Sequence, residues 1–173
     1  MMPSPLPYQD FTLKARVQDA EAIRQKLHGL GATHVGLDEQ TDTYFQTQRG
    51  KLKWRKGTIE NLITHYERVN HGGIEKTIVY RYDVNPGPAA VEALLSTAPI
   101  IGTVVKTRSI YRLQHLKIHL DQQPGDLWFL EVEAQDATQR VAAETLRADC
   151  EKLFEALGIC PADRLRTGYF TPE

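Results

Sequence analysis

An α+β fold built mainly from antiparallel strands is predicted by the order of the elements and by the shortness of the turns. The 173 residues read as strand, helix, several strands, helix, several strands and helix. Short turns, such as those over residues 70–73 and 123–126, favour antiparallel neighbours, because parallel strands need long crossovers. Hydrophobic residues make up 41% of the chain, enough for a core, and the length suits one domain or at most two small ones. We therefore predict a flexible leader over residues 1–8 and a single domain over residues 9–173.

The first predicted elements are a strand and an amphipathic helix. Residues 11–17 alternate Phe, Leu, Ala and Val with Thr, Lys and Arg, a pattern typical of a strand. Asp19 is suited to cap a helix that runs to about Leu30, because its carboxylate can accept hydrogen bonds from free backbone N–H groups. Gly31 is a suitable stop for this helix.

Seven further strands and two further helices complete the pattern. Alternating apolar residues bounded by glycine-containing turns predict strands at 42–46, 51–56, 62–69, 75–84, 101–114, 116–122 and 127–134. A short helix is predicted over residues 88–95. A long amphipathic helix is predicted from about Ala137 to Leu157, with Gly158 at its end.

The stretch GKLKWRKG, residues 50–57, carries a cation at every second position. Lys51, Lys53 and Arg55 alternate with a leucine and a tryptophan. Because side chains of a strand alternate between the two faces of a sheet, one face would carry apolar bulk and the other three positive charges. A solvated surface face usually has mixed polar residues, so this row of cations indicates a special environment.

Other predicted strands repeat the alternation of charged and apolar residues. They carry Lys14, Arg16, Arg68, Lys106 and Arg108, and on the acidic side Asp121, Glu131 and Glu133. For any single strand a solvated outer face is a sufficient explanation, but the agreement of several strands favours a shared site. A sheet with one charged face can close into a barrel whose charges point either to solvent or into the lumen. Charges that point inward require helices as cover for the apolar outer faces, and they would form a cationic cavity with an acidic wall.

The ligand that suits such a cavity is a polyanion whose charge a divalent metal ion bridges to the carboxylates. A triphosphate fits this description. The formal net charge of the chain is −1, so overall charge predicts neither nucleic-acid nor membrane binding.

The remaining composition favours a cytoplasmic protein. Cys150 and Cys160 have no neighbouring metal-ligand pattern and are predicted to be reduced thiols. The proline-containing start of the chain does not resemble a signal peptide, and no stretch is apolar enough to span a membrane. Barrels of this kind can form homodimers, although no interface can be identified in the sequence.

Several motifs in the chain resemble, in the same order, those of the CYTH superfamily. They are QTDTYF (40–45), GKLKWRKG (50–57), LITHYERVN (62–70), VVKTRSIYR (104–112), and IHLDQ with LWFLEVEA (118–134). The superfamily comprises class IV adenylate cyclases, thiamine triphosphatases and inorganic tripolyphosphatases. The resemblance implies an antiparallel eight-stranded β-barrel, called a triphosphate tunnel, with helices packed outside.

The same resemblance implies roles for individual residues. Phosphate would be bound by Lys53, Arg55, Arg68, Lys106 and Arg108. A divalent ion, Mg²⁺ or Mn²⁺, would be held by Asp10, Asp121, Glu131 and Glu133. Catalysis would depend on Lys14, Glu131 and Glu133.

One signature of the superfamily is altered in this chain. The family pattern near the N-terminus is Glu-x-Glu-x-Lys, and here Lys14 keeps the lysine while Asp10 and Thr12 replace the two glutamates. Aspartate is one methylene shorter than glutamate and threonine has no charge, whereas hard divalent cations prefer anionic oxygen ligands. We therefore expect weaker metal binding, a departure that bears on activity rather than on fold.

Two functions follow from these features. The first is a metal-dependent enzyme that acts on a triphosphate compound, either as an adenylate cyclase or as a triphosphatase. The sequence does not separate these two reactions, although the length and strand order are nearer to class IV cyclases. The second is a non-catalytic protein that binds a nucleotide or polyphosphate, which the altered signature favours.

Other polar and aromatic residues are assigned structural or surface roles. His65 and His119 could act as general bases, but neither has a partner that the sequence reveals. Packing or surface positions are expected for Tyr66, Tyr80, Tyr82, Trp54, Trp128, Arg164 and Arg166, with the two tryptophans under helices.

Overall fold

The computed structural model describes residues 9–71, 74–136 and 142–165. Its strands are Gln9–Val17 (β1), Thr33–Phe45 (β2), Lys51–Gly57 (β3), Asn61–His71 (β4), Ile74–Val84 (β5), Ile100–Leu113 (β6), Leu116–Gln123 (β7), Leu127–Asp136 (β8) and Arg164–Leu165 (β9). Its helices are Ala20–Gly29 (α1), Pro88–Thr97 (α2) and Ala143–Ala156 (α3), followed by a single 3₁₀ turn, Pro161–Asp163.

All nine strands belong to one antiparallel sheet in the order β5-β4-β3-β2-β6-β7-β8-β1-β9. The sheet curls so far that β5 lies against β1, although no ladder joins these two strands among the described residues. The right-handed twist of paired strands accumulates over this many strands and produces the curl. The predicted α+β fold with a barrel-like antiparallel sheet and outer helices is therefore confirmed, with a short ninth strand added.

The helix ends follow the predicted signals. The Asp19 carboxylate accepts a hydrogen bond of 3.1 Å from the backbone N–H of Ala22 and caps α1. Gly31 and Gly158 have φ angles of 82° and 71°, the left-handed conformation that glycine adopts without steric strain, and they end α1 and α3. None of the helices in the described ranges has the length and apolar character that a membrane-spanning helix requires.

Two hydrophobic clusters lie on the outside of the curled sheet, beneath the helices. The larger cluster joins α1 and α3 to β1, β7 and β8, and it contains the fully buried Leu27 and Ile118. In the smaller cluster, Leu94 of α2 packs with Phe45, and Trp54 packs against them. Because alternate residues of a strand face opposite ways, the charged positions of these strands point into the lumen. Of the two alternatives, the charges therefore point inward, and the helices cover the apolar outer face of the sheet.

Some predicted boundaries were wrong. Strand β2 begins at Thr33 rather than at residue 42, and the two-residue β9 was not predicted. Helix α3 begins at residue 143, and the backbone of Ala142 before it is extended. Residues 1–8 and 137–141 lie outside the described ranges, as does Arg166, so the predicted leader stays a prediction.

Candidate functional site

The centre of the tunnel is a buried carboxylate that three predicted phosphate-binding cations surround. Asp42 on β2 is paired in register with Arg55 on β3, and its side chain is fully buried. It accepts hydrogen bonds from Nε and Nη2 of Arg55, both at 2.8 Å, and from Nζ of Lys106 at 2.7 Å. The ammonium of Lys53 lies 3.9 Å from the same carboxylate. Strands β3 and β6 thus bring three cations to one carboxylate on β2.

The charges in this cluster do not balance. Three cations face one carboxylate, so the local excess is two positive charges. Burial disfavours ionisation of Asp42, but the charges of Arg55 and Lys53 outweigh it and hold the pKa of Asp42 well below its usual range. Burial and the neighbouring Arg55 lower the pKa of Lys106 to about 8, and they also lower the pKa of Lys53 strongly. An anion that entered this cluster would relieve the repulsion between its cations.

A second buried pair lies beside the first. Arg108 on β6 is paired in register with Asp121 on β7. Its Nε and Nη2 each donate to one oxygen of Asp121 at 2.7 Å, in a bidentate arrangement. Burial opposes the charge of Asp121, yet the neighbouring guanidinium lowers the pKa of this carboxyl. The pair is one-to-one, so it adds no net charge to the tunnel.

The opposite wall is formed by β7, β8 and β1. Glu131 lies 3.1 Å from Nζ of Lys14, and its other oxygen lies 3.5 Å from Nδ1 of His119. Burial works against ionisation of Glu131, but the charge of Lys14 holds its pKa well below the usual range. The His119 ring is buried beside this carboxylate. Burial and the charge of Arg108 lower the pKa of His119, which keeps the ring neutral at neutral pH.

A turn after β3 brings a further carboxylate to the tunnel. The buried Asp38 accepts hydrogen bonds from the backbone N–H groups of Ile59 and Glu60, at 2.8 and 3.0 Å. Gly57 is needed here, because a Cβ at this position would lie 2.6 Å from the Asp38 carboxylate. The turn places Glu60 so that it accepts a hydrogen bond of 2.7 Å from Lys117 and lies 3.5 Å from Nη1 of Arg55. Burial raises the pKa of Glu60, but Lys117 outweighs it and the pKa falls to about 2.

The structure gives less detail for three further predicted site residues. Arg68 is exposed, and its charge acts on Lys51, whose pKa falls to about 8 through burial, the charge of Lys14 and that of Arg68. Glu133 lies on the same face of β8 as Glu131 and is paired in register with Thr12 and Lys117. The backbone of Asp10 belongs to β1, but its side chain lies outside what the structure describes.

Two of the predicted metal ligands are engaged by cations in this arrangement. Both oxygens of Asp121 accept hydrogen bonds from Arg108, and Glu131 is paired with Lys14. Within the described ranges, no group of three histidine, cysteine, aspartate or glutamate side chains could hold a metal ion. Hard divalent cations need several oxygen ligands at once, so these carboxylates would first have to leave their cationic partners.

Sequence reasoning missed several residues of the tunnel. Asp38, Gln40 and Asp42 are buried at alternate positions of β2, and the predicted start of this strand at residue 42 left the first two outside it. His119, which was assigned a structural or surface role, is buried beside Glu131, so only the surface alternative is wrong.

The aromatic predictions divide between packing and the tunnel. Tyr66 lies with its ring 5.5 Å from Nζ of Lys53, so it belongs to the tunnel rather than to the core. Burial raises the pKa of Tyr66 to about 12, although the charge of Arg68 opposes the shift. Trp54 and Trp128 pack against the two hydrophobic clusters, as predicted.

The fold and the site together define a class of protein, an antiparallel barrel whose interior is polar and rich in cations. The CYTH domain family matches residues 11–169, and the chain belongs to this family. No curated protein matches the chain by sequence.

Solved structures agree with this assignment. The PH1012 protein of Pyrococcus horikoshii OT3 is 25% identical, with a TM-score of 0.77 over 92% of this chain and 96% of that chain. A Vibrio parahaemolyticus protein proposed to be an adenylate cyclase is 18% identical, with a TM-score of 0.74 over 93% and 95% of the two chains. The Hippeastrum protein HpAC1, for which a dominant triphosphatase activity is described, is 15% identical, with a TM-score of 0.58 over 94% and 92%. The last two similarities concern the fold.

Proposed function

We propose that this protein binds a triphosphate compound in its cationic tunnel and processes it, as a triphosphatase or an adenylate cyclase. The observation that carries the proposal is the cluster of Lys53, Arg55 and Lys106 around the single carboxylate of Asp42. A buried excess of positive charge is unfavourable without an anion, and phosphoryl oxygens match both lysine and arginine donors. Membership of the CYTH family, which includes cyclases and triphosphatases, supports triphosphate as the anion.

The proposed roles follow from position in the tunnel. Lys53, Arg55 and Lys106 bind the phosphoryl group at the centre, and Arg108 and Arg68 bind further phosphate oxygens. Their charges stabilise the negative charge that shifts between oxygens as the phosphate bond breaks. Lys14, Glu131 and Glu133 form the wall that we assign to catalysis, since they converge from β1 and β8.

The two candidate reactions differ in their nucleophile. In a cyclase, the ribose 3′-hydroxyl attacks the α-phosphate and pyrophosphate leaves. In a triphosphatase, water attacks the terminal phosphate and inorganic phosphate leaves. Enzymes of the CYTH family generally use a divalent metal ion, and Mg²⁺ or Mn²⁺ stays a prediction for turnover by this chain.

The experiment that tests the proposal is incubation with ATP, thiamine triphosphate and tripolyphosphate, each with Mg²⁺ or Mn²⁺. Release of phosphate, pyrophosphate and cyclic AMP is followed for the wild type, Arg55→Ala and the matched control Lys56→Ala. Lys56 is the exposed neighbour of Arg55 on the opposite face of β3. We expect turnover that Arg55→Ala reduces and Lys56→Ala leaves unchanged. Equal activity in all three proteins would exclude the tunnel as the site.

A second candidate function is binding without turnover. Thr12 stands at a glutamate position of the family signature, and the carboxylates Asp121 and Glu131 are engaged by cations. Saturable binding of all three compounds with no product would establish this alternative. A homodimer, a cytoplasmic location and the lack of a nucleic-acid or membrane partner stay predictions.

A further inference from the structure

We infer that the tunnel binds its polyanion without a divalent metal ion, through protein cations alone. This inference rests on the proposed function, because it concerns how the same site holds a triphosphate. It departs from what family membership suggests, and it comes from how the carboxylates and cations of the tunnel are paired.

Three carboxylates of the tunnel are already paired with cations. Asp121 is fully buried, and each of its two oxygens accepts a hydrogen bond of 2.7 Å from a nitrogen of Arg108. Glu131 has Lys14 at 3.1 Å, and Glu60 has Lys117 at 2.7 Å. A buried ion pair that loses one partner leaves an uncompensated charge in a medium of low dielectric constant. A metal ion would therefore have to displace a buried cation to gain each of these ligands.

The carboxylate of Asp38 is occupied in another way, because hydrogen bonds from neighbouring groups surround it. Asp38 accepts hydrogen bonds from two backbone N–H groups, from the Thr58 hydroxyl at 3.1 Å and from the Gln40 amide at 2.7 Å. These bonds hold the turn that carries Glu60. Freeing Asp38 for a metal ion would open that turn, so Asp38 is a structural carboxylate.

Positive charge is in excess around Asp42. Lys53, Arg55 and Lys106 share this one acid, so the local excess is two positive charges. This excess attracts a polyanion directly. A dication bound to the polyanion would cancel part of that attraction and add a like charge beside Lys53 and Lys106.

The test is calorimetric titration of tripolyphosphate into the full chain near neutral pH, first with EDTA and then with excess Mg²⁺ or Mn²⁺. We expect the affinity in EDTA to be at least as high as the affinity with metal, allowing a difference of about threefold between the two measurements. Titration of Mn²⁺ alone, followed by the electron paramagnetic resonance signal of free Mn²⁺, should show no saturable site. Affinity in EDTA more than about tenfold weaker than with metal would overturn the inference.

The outcomes separate the inference from the proposed function. Binding only with metal overturns the inference and leaves the proposed function intact. No binding in either condition overturns the proposed function, and the inference with it. Arg55→Ala should weaken binding in EDTA by about 10- to 150-fold, whereas Lys56→Ala should not change it. Lys53→Met is the second variant if Arg55→Ala does not fold, since Lys53 lies further from Asp42 and its loss leaves the bidentate pair intact.

Discussion

The carboxylate of Asp42 and the guanidinium of Arg55 occupy paired positions of β2 and β3, and two parallel hydrogen bonds of 2.8 Å join them. Asp42 is the only carboxylate that the described side chains of Arg55, Lys53 and Lys106 share. Replacing it by a neutral residue would leave three buried cations in mutual repulsion. Asp42 therefore has a structural role that precedes any role in binding.

The first prediction concerns this carboxylate. We expect Asp42→Asn to lower the free energy of unfolding by about 3–5 kcal/mol, the usual effect of breaking a buried ion pair by removing one partner. Urea denaturation measures the change. The control is Asp83→Asn, since Asp83 pairs with Arg81 at the partly exposed surface and should contribute no more than about 1 kcal/mol. Equal small effects of the two substitutions would show that Asp42 does not hold the cluster together.

A second prediction concerns the contribution of Arg55 to binding. Arg55→Ala should weaken triphosphate binding by roughly 1.5–3 kcal/mol, the scale of a charge-assisted hydrogen bond. Calorimetry with the wild type, Arg55→Ala and Lys56→Ala measures it, with far-ultraviolet circular dichroism as the check on folding. An unchanged affinity in a folded Arg55→Ala variant would remove Arg55 from the site.

The third prediction is a rise in stability with pH. Lys106 has a folded pKa of about 8 against an ordinary value of 10.5, because burial and Arg55 disfavour its charge. At pH values below the folded pKa, Lys106 is protonated in both the folded and the unfolded state, so its buried charge destabilises the fold to the full extent. Between the two values the unfolded state binds more protons, so the free energy of unfolding rises with pH, by up to roughly 3 kcal/mol for this group.

The measurement is urea denaturation at neutral pH and at intervals up to the ordinary pKa of tyrosine. Lys106 faces Arg55, Arg108, Asp42 and Asp121, which keep their charges over this range. The pKa of Lys53 is also lowered, so Lys106→Met should reduce the rise in the free energy of unfolding with pH without abolishing it. Stability that is flat or that falls over this range in the wild type would contradict the prediction.

A fourth prediction concerns the altered signature. Thr12→Glu, preferably with Asp10→Glu, should strengthen binding of Mn²⁺ and raise any triphosphate turnover. Thr12 is paired in register with Glu133, so a glutamate at position 12 would place two carboxylates side by side on neighbouring strands. Each added anionic oxygen strengthens the attraction for a hard dication. Titration of Mn²⁺ into both proteins decides the outcome, and equal or weaker affinity in the variant would show that Thr12 is not a lost ligand.

Much of the fold was predictable because it depends on local patterns. The alternation in residues 51–55 indicated a strand, and the cap at Asp19 and the stops at Gly31 and Gly158 are recovered in the structure. The part of β2 before residue 42 was missed because its buried residues, Asp38 and Gln40, are polar, and a hydrophobic pattern cannot reveal a strand whose inner face is hydrophilic.

The partners of the charged residues were not predictable in the same way. Strand alternation shows that Lys53 and Arg55 share a face, but not which acid lies opposite them. That depends on the register of β2 with β3 and β6, which brings Asp42 to Arg55 and Lys106 across 13 and 64 residues of chain.

The sequence by itself therefore determined which side chains of each strand lie together, since that follows from the two-residue period of the backbone. Only the tertiary structure decided whether those charges face solvent or the lumen. Helices α1, α2 and α3 bury the apolar faces on the outside, so the curled sheet can enclose only its polar face. The enclosed cations need compensating charges because the dielectric constant around them is low. The packing of separate strands places Asp42 against three of them.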